Sequence, residues 1–138
     1  MADSSVINVS IVTPDGKVYE HTADMIVVST QSGQLGIMAN HEPVIATLDV
    51  DETRVKHDNN EDEIAVNGGF IEFSNNAATI VADSAECQSD IDVARAENAR
   101  QRAERLIEAA RKQNDKQALD RAQVALRRAI NRINVAKK

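Results

Sequence analysis

Four arginines in the last third of the chain have the most chemistry to offer. Arg95 and Arg102 stand seven residues apart, and Arg128 and Arg132 stand four apart. On a helix each pair shares one face. If the two stretches are helices paired antiparallel, residues 92–102 lie opposite residues 128–132. Four guanidiniums then converge, and a planar, always charged fork suits the oxygens of a polyphosphate. Asp92, at the start of the first stretch, is placed to accept from an amino group. Two other readings stand beside this one. The arginines are solvated surface charges with Asp92 as a capping carboxylate, or the hairpin binds nucleic acid. Against the last, residues 87–138 contain no aromatic side chain to stack on a base.

Little else in the chain reads as catalytic. Cys87 and His41 are a conceivable thiol and base, but nothing in the sequence orders them. His21, His41 and His57 lack metal-ligand spacing. No phosphate-binding glycine loop is present, and Gly68-Gly69 reads as a bulge or a close backbone approach. The expectation is a chain with no catalytic residue and no metal. The segment from Gly33 to Pro43 differs in kind. It has two glycines, an Asn40-His41 pair and a proline. Its apolar residues Leu35, Ile37 and Met38 look exposed. A loop of this sort on a rigid sheet reads as a docking surface, or as a wide turn packed on its own domain.

The elements that must carry these residues fall into two halves. Val6 to Val12 alternates with period two, as a half-buried strand does. Thr13-Pro14-Asp15-Gly16 is a turn. Strands are expected at 17–21, 25–29, 44–48, 54–57, 64–66, 70–73 and 77–81. Asp58 to Glu63 is a polar hairpin tip, and Ser74-Asn75-Asn76 a hairpin turn. Many short strands argue an antiparallel sandwich or barrel. After Ser89 the period becomes helical. Ser89 and Asp92 have the spacing of a capping box. Ala96, Ala99, Ala103, Leu106 and Ala110 form one seam. Leu119, Ala122, Leu126, Ala129 and Ile133 form its match, with a break at 112–114. An antiparallel two-helix hairpin follows. Six of the ten seam residues are alanine, each worth about 0.8 kcal/mol or less when buried. The helices should form readily and pair weakly, which makes the hairpin a candidate two-state element.

Composition supports the division. Residues 1–86 carry 15 acidic and 3 basic side chains, whereas residues 87–138 carry 7 acidic and 13 basic. Halves of opposite sign suggest different partners and a mutual attraction. Aromatic residues are few (Tyr19, Phe70 and Phe73, without tryptophan), so the core must be built from Val, Ile, Leu and Met. The polar start at Met1 to Ser5 predicts no signal peptide. The absence of an 18-residue apolar run predicts no spanning helix. A single cysteine fits a reducing compartment.

Four stretches in order carry a resemblance over essentially the whole chain. They are Gly33-Gln34-Leu35-Gly36-Ile37-Met38-Ala39-Asn40-His41-Glu42-Pro43, Asn67-Gly68-Gly69-Phe70-Ile71-Glu72, Thr79 to Glu86, and Ile91-Asp92-x-x-Arg95-Ala96. With them the chain resembles the epsilon subunits of bacterial F-type ATP synthases. Gln34 stands where many relatives have an acid. The resemblance implies a ten-stranded antiparallel β sandwich or barrel at 1–86 and a helical hairpin at 87–138. It implies a non-catalytic rotor-stalk subunit of the proton-translocating synthase, peripheral on the cytoplasmic face of the bacterial cell membrane. The β domain would bind the gamma subunit and the c-ring. Leu35, Ile37, Met38, Asn40, His41 and Pro43 would form a partner-facing loop. The hairpin would be a regulatory arm that, when extended, contacts the catalytic beta subunits and hinders hydrolysis. Its folded state would hold ATP as a regulatory ligand through Glu86, Ile91, Asp92, Arg95, Ala96, Arg102, Arg128 and Arg132, with no cofactor required. A free-standing ATP sensor and a nucleic-acid-binding hairpin remain the alternatives to that role.

Overall fold

The computed structural model describes residues 5–138; the N-terminal segment read above as leader-free lies largely outside the described residues. Strand β1 (Ile7–Thr13) turns through Pro14-Asp15 into β2 (Gly16–Ala23), and β3 (Met25–Thr30) turns into β4 (Gly33–Met38). Two long strands follow, β5 (Val44–His57) and β6 (Asn60–Ser74), then β7 (Ala77–Ala82) and β8 (Ala85–Cys87). The order across the sheet is β2-β1-β7-β6-β5-β3-β4, with β8 on β6. All pairings are antiparallel except β1 with β7, which run parallel.

Eight strands therefore stand, among the described residues, where ten were expected. The shortfall has a physical cause in β5 and β6. Asp49, Asp51 and Glu52 suggest a break after Leu48, yet period-two alternation carries Asp49 and Asp51 to the exposed face, and the strand continues. In β6 the suspected interruption is Gly68-Gly69, where both residues hold positive φ (89° and 128°). A Cβ on Gly69 would collide with the Val81 carbonyl. The glycines thus permit a close backbone approach, and here β6 changes neighbour. Its first half pairs β8 and its second half pairs β7.

The core is aliphatic. Ile7, Val9, Ile11, Ile26, Val28, Ile37, Val55, Ile64, Ile71 and Ile80 are fully buried around Phe73. Methionine contributes less than expected, since Met38 is mostly exposed and Met25 only half-buried. The edge strand β2 returns against the far end of β5, where His21 stacks on His57 at 4.0 Å. His57 Nε2 lies 2.7 Å from Asp62 Oδ2, which also accepts from the Tyr19 hydroxyl at 2.7 Å. The hydrogen bond to Asp62 holds the His57 imidazolium above the ordinary histidine range, against its own burial. Burial alone would raise Asp62, but the bonds from Tyr19 and His57 outweigh it and hold the carboxyl low.

A 3-10 turn (Gln88–Asp90) leads into α1 (Val93–Lys112) and α2 (Lys116–Ala136). Ser89 lies exposed within that turn, so the expected capping box is not made. Asp92 is itself the N-cap, accepting from the Arg95 amide at 3.1 Å. The hairpin connection is Gln113-Asn114-Asp115. Asn114 holds φ 52° and the Asp115 amide reaches back to the Ala110 carbonyl, an Asn version of the left-handed helix stop. Asp115 then caps α2 through the Ala118 amide. Ala96, Ala103 and Ala110, seven apart, are buried against Ala122, Ala129 and Ile133. Leu106, read as a seam residue, is half-exposed, because the contact runs down the alanine row beside it.

Two outcomes follow. Ala129→Leu, at a fully buried seam position, should overpack the helix contact and cost about 1–3 kcal/mol, measured as lost exchange protection confined to the hairpin. His57 should titrate above the ordinary value of about 6.5 by NMR, and Asp62→Asn should lower it. Because the folded value is the raised one, the stability it contributes is complete below the unfolded value and fades as pH rises through the folded one.

Candidate functional site

The hairpin rests on the β domain through the last turns of α2, and the contacts there are mostly polar. Asn131 is buried and its amide donates to the Val66 carbonyl and to Asn67 Oδ1, both at 3.3 Å. Asn67, itself fully buried, donates onward to Ser84 Oγ at 2.9 Å. Arg132 Nε pairs with Glu86 Oε1, on β8, at 2.6 Å. The Gln88 side-chain amide donates to the Val135 and Lys138 carbonyls at 2.9 and 2.8 Å. Ile133 and Val135 supply the apolar part.

Where α1 begins, beside this junction, a cleft of about 780 Å³ opens. Glu86, Asp92, Arg95, Ala96, Arg102 and Arg132 line it, six of the eight residues singled out in the sequence. Asp90, Ala94, Asn98 and Ala99 complete the wall. Sequence reasoning missed these four; Asn98 and Ala99 follow Arg95 at helical spacings of three and four, the one signal that could have found them. Arg128 stands in an adjoining groove of about 240 Å³ that shares Ala99, Arg102 and Arg132 with the cleft and adds Leu106 and Ala125. Its Nε is buried without a hydrogen-bond partner. A buried guanidinium nitrogen in that condition is costly unless an acceptor reaches it. Ile91 is half-buried beside the 3-10 turn and does not line the cleft. Arg95, Arg102 and Arg132 therefore share the cleft, and Arg128 joins Arg102 and Arg132 in the adjoining groove, as antiparallel pairing brings them near. Among the described residues, Arg132 alone of the four is ion-paired there, with Glu86.

The other expected surface divides. Gly33–Met38 is a strand, not a loop; the two glycines mask its alternation, and Gly36 faces Met25. Ile37 is fully buried in the core and so is not available for docking as the sequence suggested, whereas Leu35 is half-buried and packs partly against the core. Met38 is 57% exposed, and Asn40, His41 and Pro43 are exposed. The Asn40 amide donates to Asn76 Oδ1 at 2.7 Å, which ties this tip to the β6–β7 turn, and His41 packs edge-on against Phe73. Ile45, Phe70 and Val81, 72%, 42% and 38% exposed, were not recognised beforehand. The register places Phe70 opposite Val81 on the outer face of the sheet. Cys87 lies against the Val18 carbonyl, and burial pushes its thiol up, away from reactivity. Among the described residues no group of three His, Cys, Asp or Glu side chains could hold a metal.

Comparison with known proteins accounts for both halves. Residues 6–88 match the beta-sandwich domain of the ATP synthase delta/epsilon chain, and residues 89–137 match its long alpha-helix domain. The chain belongs to the ATP synthase epsilon chains. It is 67% identical over 138 residues to the ATP synthase epsilon chain of Levilactobacillus brevis, covering 99% of each. To that of Pediococcus pentosaceus it is 64% identical over 138 residues, with the same coverage. The fold recurs in a chain of the Euglena gracilis mitochondrial ATP synthase, in a structure of its OSCP, F1 and c-ring, with TM-score 0.80 at 18% identity. That likeness covers 100% of this chain and 85% of the other. An epsilon chain is a stalk subunit of the synthase and not its catalytic one. No helix among the described residues is long and apolar enough to cross a membrane.

The buried Asn131 bridge is the testable hinge of this epsilon chain's junction. Asn131→Ala leaves Asn67 Oδ1 without its donor and should weaken the seating of α2 by about 1–3 kcal/mol. Faster amide exchange in α2, with the β core unchanged, is the expected result.

Proposed function

We propose that this epsilon chain works in the rotor stalk of a proton-translocating bacterial ATP synthase, peripherally on the cytoplasmic face of the cell membrane. Its β domain docks on the gamma subunit and the c-ring. Its hairpin is a mobile arm that binds ATP when folded and, when extended, reaches the catalytic beta subunits and hinders hydrolysis. For docking, the exposed tip with Met38, Asn40, His41 and Pro43, and the outer apolar residues Ile45, Phe70 and Val81, are the surfaces that support the reading.

The observation that carries the nucleotide part is the shared space between the β8 edge and the two helices, with Arg95, Arg102 and Arg132 on one wall and Arg128 Nε buried next door. Phosphate oxygens would satisfy that nitrogen and compete with Glu86 for Arg132. Asp92 and Glu86 remain as acceptors for an amino group or a ribose hydroxyl. Because both helices and β8 contribute, a ligand held there favours the folded arm over the extended one. The bias is RT ln(1 + [ATP]/Kd), about 2.7 kcal/mol at a hundredfold excess over Kd. A shift of about a hundredfold turns a tenfold preference for one state into a tenfold preference for the other.

Calorimetric titration with Mg-free and Mg-bound ATP tests this. Saturable binding is expected, weakened roughly tenfold to a hundredfold in both Arg95→Ala and Arg128→Ala. No binding at millimolar ATP, or binding indifferent to both substitutions, removes the nucleotide from the reading and returns the arginines to partner contacts.

A further inference from the structure

The last residue of the chain makes a contact that the nucleotide cleft does not explain. Lys138 Nζ lies 2.5 Å from both carboxylate oxygens of Glu52 on β5 and 4.0 Å from Glu63 Oε2 on β6. The two glutamate side chains are only 16% and 15% exposed. Glu63 Oε2 is buried without a hydrogen-bond partner, and burial, then the neighbouring Glu52, pushes the Glu63 carboxyl up. Like charges set this close in a half-dry place repel, and each resists desolvation. Other charges nearby are Arg54, which opposes the lysine, and Glu61. On the same turn, the Gln88 amide closes the Val135 and Lys138 carbonyls, so the 3-10 turn after β8 supplies the C-terminal cap of α2.

We propose that Lys138 is the catch of the arm: its ammonium is the counter-ion that lets Glu52 and Glu63 sit together, and it fastens the end of α2 to the β domain apart from any ligand. Release of the arm withdraws that cation and the Gln88 cap in one movement. The acidic pair is left without its counter-ion, so the folded state is favoured by the ion pairing that offsets the repulsion and desolvation of the two carboxylates. The catch lies just past the last turn of α2, so losing it loosens that turn first. Its consequence for hydrolysis rests on the arm reading above; the catch itself does not.

Hydrogen exchange on the full chain tests it. In Lys138→Met, which keeps the stem and removes the charge, the amides of residues 130–137 should exchange roughly fivefold to tenfold faster, with the β core unchanged. Lys138→Arg and Lys137→Met should match the wild type. Glu52→Gln should reproduce the Lys138→Met effect and add nothing to it when combined. The proposal is overturned if Lys138→Met exchanges like the wild type, if Lys137→Met accelerates exchange equally, or if the two effects simply add. In the assembled synthase Lys138→Met should deepen inhibition of hydrolysis. A faster-exchanging α2 with unchanged inhibition would leave the catch standing and refute the arm.

Discussion

Alanines seven residues apart, at 96, 103 and 110, set the terms on which the hairpin exists. A small side chain at every contact lets two helices lie close, but each position removes little apolar surface from water. Neither helix lacks intrinsic propensity, and both are capped by an aspartate at their start. What they lack is cohesion. The folded hairpin must therefore draw on the β domain, and it does so with hydrogen bonds and ion pairs at the last turns of α2. Such contacts are specific in geometry and modest in net energy, since water competes for every partner. An arm fastened in this way can be both well defined and detachable.

The charge division serves the same end. The hairpin's surplus of arginine and lysine meets carboxylates of the β domain at Glu86, Glu52 and Glu63. The pairing is selective, because most of the acidic surface is not used for it. Asp49 and Asp51 on β5 are exposed, and Asp51, although it lines a groove beside Lys137 and Lys138, accepts from the Ser29 hydroxyl instead. Arg95 and Arg102 of α1, by contrast, line a cleft, and Arg100 pairs with Glu97 and Glu104 of its own helix.

How much of this the sequence disclosed depended on the kind of signal. Helical period, the break at 112–114 and the arginine spacing are local and survive folding unchanged, so the hairpin and the company of Arg95, Arg102, Arg128 and Arg132 were legible. So were the turns at Pro14-Asp15 and Asn75-Asn76, where residue chemistry dictates φ. Strand continuity was not, because acids on the exposed face of β5 look like a loop, and glycines in β4 and β6 interrupt an alternation that the backbone maintains. Ile37 was mistaken for surface for that reason: only the pairing of β4 with β3 decides which side of the sheet it faces. The parallel pairing of β1 with β7 and the cap that Gln88 offers α2 join residues far apart in the chain, and no local pattern announces them.

That parallel pair has a consequence for the order in which the chain can be made. β1 leaves the ribosome well before one of its two neighbours, β7, which lies some seventy residues downstream. Until β7 has emerged, β1 can pair only with β2 and leaves one edge open, a hazard for association with other chains. The hairpin comes out after the sheet. It docks onto a sheet whose closing strands are already available, and its helices need only neighbours in sequence to form. Synthesis thus delivers the slow, long-range part of the molecule before the quick, local part, and the arm is fastened onto a sheet that can already close.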